Sequence, residues 1–246
     1  MLSSIVSFAK LSGENRESVA KIDGFVPLIT KMFKNCNEIE VIEQIELVII
    51  CLDLILPEKG VREQLVQHLV NSTSSTSSSF TLVLRRGGLD AKISAARVLE
   101  SLASFDNESR RIIADQSVLI KELYNLTSSD AGHLAVDAGI AALIAVYTSR
   151  HSKKEIVRLG IVKTTGKLLS SPKNSVTVVE IISTCTEGRT AICEDEICVP
   201  AVIKRLTNVS PAATEHGIGV IWSVLTRFIK KKGFLFCFRE SLTCYD

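Results

Sequence analysis

The chain repeats itself at a nearly constant interval. An aliphatic residue followed by a small or aliphatic one recurs at equivalent places along the whole sequence. These pairs are Val19-Ala20, Leu65-Val66, Ile113-Ala114, Ile156-Val157 and Ile192-Cys193. The first and last pairs are four steps apart, so each step is about 43 residues long, and a period of this length is typical of stacked helices. The sequence therefore predicts an array of similar helical repeats.

Each repeat is predicted to hold a short helix, a turn, a second helix and a longer third helix. The first repeat reads ENRESVAKID, GFVPLITKMF and EIEVIEQIELVIICLDLIL. Pro27 and Pro200 fall in the first turn of a second helix, where the missing N–H costs nothing. In one long helix, apolar residues recur at steps of three and four, namely Ile93, Ala96, Leu99 and Ala103. That spacing gives one apolar stripe to bury, and no segment alternates with the period of a strand.

Composition limits the classes of function. The chain has 246 residues, of which 46% are hydrophobic, so it can bury a full core. Its formal net charge of +2 gives no field that would attract nucleic acid or an anionic membrane. The apolar stretch from Ile45 to Leu56 carries Glu46 and Asp53 and is shorter than the ~20 residues of a membrane span. The first residues do not resemble a signal peptide, so we expect a cytoplasmic or nuclear protein.

The cysteines do not form a recognisable metal or redox motif. There are seven, and no two have the spacing of a zinc pair, so we interpret them as buried apolar residues and expect no cofactor. Cys193 and Cys198 bracket three acids, which could suggest a ligand cluster. The same stretch aligns with the turn before the second helix of the first repeat. We therefore interpret Asp195 and Glu196 as acids placed near a helix N-terminus.

One segment interrupts the second repeat. Residues 71–79 read NSTSSTSSS and contain only hydroxyl and amide side chains. Such a composition is too polar to bury and predicts a solvated loop. The alternative is a loop regulated by phosphorylation of its serines.

Four phrases carry a resemblance to a known family. They are SFTLVLRRGGLDAKISAARVLESLA (79–103), EIVRLGIVKTTGKLLSS (155–171), EGRTAICEDEICVPAVIKRL (187–206) and AATEHGIGVIWSVL (212–225). Together they resemble the C-terminal armadillo repeats of plant U-box ubiquitin ligases. The resemblance implies an all-α, right-handed α-solenoid of about five armadillo (ARM) repeats whose partner is a protein.

The resemblance also predicts how the chain is divided. Residues 1–13 resemble the end of a preceding repeat, residues 14–229 form the armadillo repeats, and residues 230–246 form a divergent tail. The U-box that recruits the ubiquitin-conjugating enzyme in this family is not found in the sequence. We therefore expect no binding of that enzyme and no ubiquitin transfer by this chain alone, and we interpret the chain as a truncated or alternatively spliced product.

The family's fold presents its long helices along a concave groove, which many repeat proteins use for extended partners. Nuclear import adaptors share the fold and line the groove with ladders of asparagine and tryptophan. The asparagine positions here hold Ser7, Leu54, Ser101, Ala145, Ile181 and Ser223. The tryptophan positions hold Ser3, Ile50, Arg97, Ala141, Thr177 and Gly219. Without ladders, binding of basic localisation peptides is not expected.

The candidate contact residues lie on or beside these ladder positions. They are Arg97, Glu100, Ser101, Glu215 and Trp222. A core position is also open for Trp222, and Glu215 could support the start of its own helix. Arg97 is expected to be an exposed charge whose reversal changes stability little. The predicted function is substrate recognition for a U-box ligase; the alternatives are a non-ligase scaffold that competes with the full-length ligase, and an uncharacterised enzyme.

Overall fold

The computed structural model describes residues 1–34, 42–70, 73–127, 132–147, 150–169, 174–206 and 211–228. These residues form sixteen helices and contain no strand. The helices are α1 (Leu2–Leu11), α2 (Gly13–Ala20), α3 (Phe25–Lys34), α4 (Ile42–Ile55), α5 (Val61–Val70), α6 (Thr73–Arg86), α7 (Leu89–Phe105), α8 (Asn107–Ala114), α9 (Ser117–Thr127), α10 (His133–Val146), α11 (Arg150–Arg158), α12 (Ile161–Leu168), α13 (Asn174–Ser183), α14 (Thr186–Glu194), α15 (Cys198–Leu206) and α16 (Pro211–Phe228). The all-α class predicted from the sequence is confirmed.

The helices follow the predicted repeat. After α1 come five groups of three, and the third helix is the longest in every group. The chain divides into two compact units, Met1–Val146 and Tyr147–Asp246. In the first unit α1 packs on α4, α4 on α7 and α7 on α10. In the second unit α13 packs on α16. Third helices are thus neighbours, which places their side chains along a shared surface within each unit.

The core of the first unit comes mainly from these third helices. The predicted stripe of α7 is buried along its length, from Ile93 to Ala103. In α4 the buried positions include Ile45 and Leu52, which follow the same three- and four-residue spacing. Second helices meet through Phe33 and Phe80, whose rings pack edge to face at 4.8 Å between centroids.

Three repeats begin with the same kind of helix cap. Ser12, Asp106 and Cys185 occupy equivalent positions before the first helix of a repeat. Each side chain accepts a hydrogen bond from the backbone N–H three residues later, over 3.1, 2.6 and 3.3 Å respectively. Such caps satisfy N–H groups that the helix leaves unpaired. The bond from Ser109 N–H lowers the pKa of Asp106 below its ordinary value.

The acidic stretch before α15 is also a cap. Asp195 Oδ1 accepts hydrogen bonds from the N–H groups of Ile197 and Cys198, over 3.1 and 2.7 Å. Cys198 is fully buried beneath them. Pro200 lies in the first turn of α15, and Pro27 in the first turn of α3. The interpretation of Asp195 as a helix-start residue and the two proline positions are confirmed.

The solvated loop predicted for residues 71–79 is wrong for Thr73–Ser79, which form the first turns of α6. Asn71 and Ser72 lie outside the residues that the structure describes. Ser79 is buried, and its hydroxyl donates to the backbone carbonyl of Phe33 over 2.7 Å. Thr81 in the next turn bonds back to the carbonyl of Ser77. A hydroxyl that finds a backbone acceptor, as that of Ser79 does, can be buried in a helix without an unpaired donor, and this offsets the weak helix preference of serine.

Candidate protein-binding groove

An open groove lies in the first unit at the place where α4 and α7 pack side by side, near the start of α5. It is lined by Asp53, Leu56, Pro57, Arg62, Arg97, Glu100, Ser101, Ser104 and Phe105. Three of the predicted contact residues, Arg97, Glu100 and Ser101, therefore lie together in it. They share a groove because they occupy successive positions on the exposed side of α7, opposite the end of α4.

Arg97 also supports the structure. The side chain of Asp53 is only 15% exposed and accepts a hydrogen bond from the hydroxyl of Ser94 over 2.8 Å. Arg97 Nη1 lies 3.6 Å from the same carboxylate. Burial raises the pKa of Asp53, and Ser94 and Arg97 oppose that rise. Arg97 is exposed as expected, but the expectation that its reversal changes stability little is corrected, because reversal would place a new carboxylate against a nearly buried one.

Glu100 differs from Asp53 because no described residue forms a hydrogen bond or a close ion pair with its carboxylate. It is half-buried in the groove wall, and no other described residue makes a hydrogen bond or an ion pair with it. Burial raises the pKa of Glu100; Arg97 opposes the rise, and Asp53 adds to it. A half-buried carboxylate without a close partner is costly in the free chain and is available to a ligand.

The remaining part of the groove has apolar side chains and one further cationic side chain, that of Arg62. Phe105 is 45% exposed, and Pro57 is exposed beside the buried Leu56. Arg62, at the start of α5, is exposed and has no bonding partner among the described residues. Sequence reasoning missed Phe105, although it lies four residues after Ser101 and so on the same face of α7. That spacing was the available signal.

The other two predicted residues lie in the second unit. Glu215 and Trp222 are exposed on α16, and Trp222 is 68% exposed. Ile218 lies between them on the same face and is exposed as well. The core position considered for Trp222 is wrong, because α16 buries the face that contains Val220 and Val224 instead. Ile218 and Trp222 thus form an exposed apolar strip on α16, with Glu215 one turn before them.

The described cysteines are placed for packing. Burial raises the pKa of Cys51 to about 11 and that of Cys198 to about 12. Both thiols stay protonated at neutral pH and are poor nucleophiles. Across the described ranges no three His, Cys, Asp or Glu side chains are arranged to hold a metal ion. None of the helices described is both long and apolar enough to cross a bilayer.

Comparison with known sequences identifies relatives along most of the chain. The family model described as plant U-box protein ARM repeat region matches residues 1–233. U-box domain-containing protein 28 of Arabidopsis thaliana is 36% identical over 240 residues, which cover 94% of this chain and 58% of that protein. U-box domain-containing protein 29 of the same plant is 31% identical over 245 residues, covering 94% and 57%. The chain thus spans somewhat more than half the length of these relatives.

Solved structures agree on the fold. The designed armadillo repeat protein YIII(Dq)4CqI matches with a TM-score of 0.69 and 15% identity, covering 91% of each chain. A designed armadillo repeat protein in complex with the peptide (KR)4 matches with a TM-score of 0.66, 15% identity and the same coverage. At this identity the likeness concerns the fold alone, and it confirms the armadillo α-solenoid class.

Proposed function

We propose that this chain, which belongs to the ARM repeat family of plant U-box proteins, recognises protein partners through the groove of its first unit. One observation carries the proposal. The groove combines a half-buried carboxylate that no described residue bonds, two serine side chains and an exposed aromatic ring on a single helix, α7. Binding sites typically combine apolar area with a few polar groups in this way.

The fold supports an extended segment of protein as the partner. Third helices of neighbouring repeats lie side by side in the first unit, and the groove lies between two of them, α4 and α7. Such surfaces of repeat proteins commonly bind extended chains. A designed armadillo protein of similar fold was solved in complex with the peptide (KR)4. For the present chain this supports a peptide-like ligand.

The proposed biological role is selection of proteins for ubiquitination. The relatives carry the name U-box domain-containing protein, and the chain covers 58% of one of them. We propose that these 246 residues supply recognition and not the transfer reaction. A scaffold that competes with a ligase would use the same groove.

Phe105→Ala provides a direct test against a matched control. Phe8 on α1 is 46% exposed, compared with 45% for Phe105, and lies outside the groove. We expect Phe105→Ala to weaken partner binding about tenfold, or about 1.4 kcal/mol, since exposed aromatic side chains often anchor interfaces. Phe8→Ala should bind as the unmodified chain does.

The measurement is affinity purification from a plant extract with the unmodified chain and both variants, followed by quantitative mass spectrometry. Proteins that depend on the groove should be recovered with Phe8→Ala and depleted with Phe105→Ala. Thermal unfolding of the two variants should be similar, because the two rings are equally exposed. Equal recovery with both variants would contradict the proposed function.

A further inference from the structure

We propose that the groove takes an extended segment in which a lysine or arginine stands next to a large apolar residue. The cation faces Glu100, and the apolar side chain packs on Phe105 and Pro57. This inference rests on the proposed function and specifies the chemistry of the partner.

The charges of the groove favour a cation beside Glu100. Four charged side chains line it: Asp53, Glu100, Arg62 and Arg97. Asp53 is already compensated, because it accepts from Ser94 and lies 3.6 Å from Arg97. Glu100 is the carboxylate left without a close partner in the described part of the chain. A ligand cation placed beside Glu100 would compensate its charge, as Arg97 compensates the charge of Asp53.

Because Glu100 is more buried than Arg62, it attracts an opposite charge of the ligand more strongly. Arg62 is exposed, so water solvates its guanidinium and screens its field. Glu100 is half-buried, and burial raises its pKa. A charge pair formed in that environment is screened less than one formed at the surface. The groove therefore favours a basic side chain over an acidic one.

The rest of the ligand follows from the neighbours of Glu100. Phe105 and Pro57 offer exposed apolar surface at one end of the groove. The hydroxyls of Ser101 and Ser104 make no hydrogen bond to another described residue, so they can meet the backbone of an extended segment. One cation followed by an apolar anchor fits these features. A long basic run does not, because no ladder of tryptophan or asparagine separates successive cations.

The acidic character recurs in the repeats. Glu100 directly precedes the ladder position Ser101, and Asp53 and Glu180 hold the same place before Leu54 and Ile181. Asp53 belongs to the same groove, whereas Glu180 lies in the second unit. An acid directly before the ladder position is thus not confined to one repeat.

The test uses the full chain and fluorescein-labelled octapeptides, one of alternating lysine and leucine and one of alternating glutamate and leucine. Fluorescence anisotropy at neutral pH should show tighter binding of the lysine peptide, by about tenfold or more. Glu100→Gln should weaken that binding about tenfold. The matched control is Glu108→Gln, because Glu108 is exposed on α8 and paired with Arg111. It should leave binding unchanged.

A loss of folding stability is not expected to explain weaker peptide binding by Glu100→Gln. Burial raises the pKa of Glu100 in the folded chain, so its ionised form is disfavoured there and lowers folding stability as the pH rises above the ordinary pKa of a glutamate. Glu100→Gln removes that penalty, and thermal unfolding should be unchanged or slightly higher. A gain in stability with a loss of binding marks a residue kept for recognition.

The outcomes separate this inference from the proposed function. Preference for the glutamate peptide, with binding lost in Arg62→Ala, would overturn the basic ligand while keeping the groove as a binding site. Equal binding by Glu100→Gln and the unmodified chain would also overturn it, as would no binding of either peptide. The proposed function fails separately, if Phe105→Ala and Phe8→Ala recover the same proteins.

Discussion

Replacing Gly188 by alanine is expected to destabilise the protein by about 3 kcal/mol. A Cβ at this position would lie 2.0 Å from the carbonyl oxygen of Ile182 and 2.5 Å from its Cγ2. Gly188 is buried in the first turn of α14, and its N–H is bonded to the cap Cys185. The start of α14 cannot move away from Ile182 without breaking this cap hydrogen bond, so any movement that removes the clash also destabilises the helix start.

Gly219→Ala is the matched control in the same unit. The nearest atom to its new Cβ is Oε1 of Glu180 at 2.6 Å, the far end of a flexible side chain that can swing away. Alanine in a helix interior is favoured over glycine by up to about 1 kcal/mol. Thermal unfolding followed by circular dichroism should therefore show a Tm for Gly188→Ala about 6–12 °C below that of the unmodified chain. A similar Tm for both variants would show that the contact with Ile182 is not tight.

Arg85→Ala is expected to cost about 2 kcal/mol of folding stability. Arg85 Nε and Nη2 lie 2.9 and 2.8 Å from Oε1 of Glu122, and Asn125 Nδ2 donates to its Oε2 over 3.2 Å. The side chain of Glu122 is only 10% exposed. Removing the guanidinium leaves a nearly buried carboxylate with a single amide donor. Because Arg85 itself is 55% exposed, water can enter, and the cost stays below that of a fully buried pair.

A double-mutant cycle measures this ion pair, which joins α6 to α9 in the next repeat. Glu122→Gln removes the charge that needs compensation, so Arg85→Ala should cost much less in its presence. Urea denaturation of the two single variants and the double variant gives the coupling. Strictly additive losses would mean that the pair contributes nothing beyond its separate side chains.

The repeat and its helices could be predicted from the sequence because their signals are local. The apolar stripe of α7 follows helical spacing, and Pro27 and Asp195 mark helix starts within a few residues of the positions they define. The serine- and threonine-rich segment could not be predicted in this way. The burial of Ser79 depends on its hydroxyl reaching the carbonyl of Phe33, 46 residues earlier in the chain. The composition of the segment does not show a hydrogen-bond acceptor that lies far away in the sequence.

The candidate site was predictable only in part, for the same reason. Alignment with the ladder positions indicated Arg97, Glu100 and Ser101, and these do meet in one groove. The pairing of Arg97 with Asp53 depends on how α4 packs on α7, which spacing alone does not give. Trp222 was open to two interpretations because an apolar residue suits either face of α16. Neighbouring helices decide which face is buried.

Photo-crosslinking tests most directly whether the groove of the first unit contacts the partner. A benzophenone amino acid is placed at Ser104, which is exposed in the groove, or at Lys31, which is exposed on α3 outside it. After irradiation with the proteins recovered in the affinity purification, mass spectrometry identifies the linked peptides. We expect partner peptides linked at position 104 and none at position 31. Partner peptides linked at position 31 and absent at position 104 would contradict it.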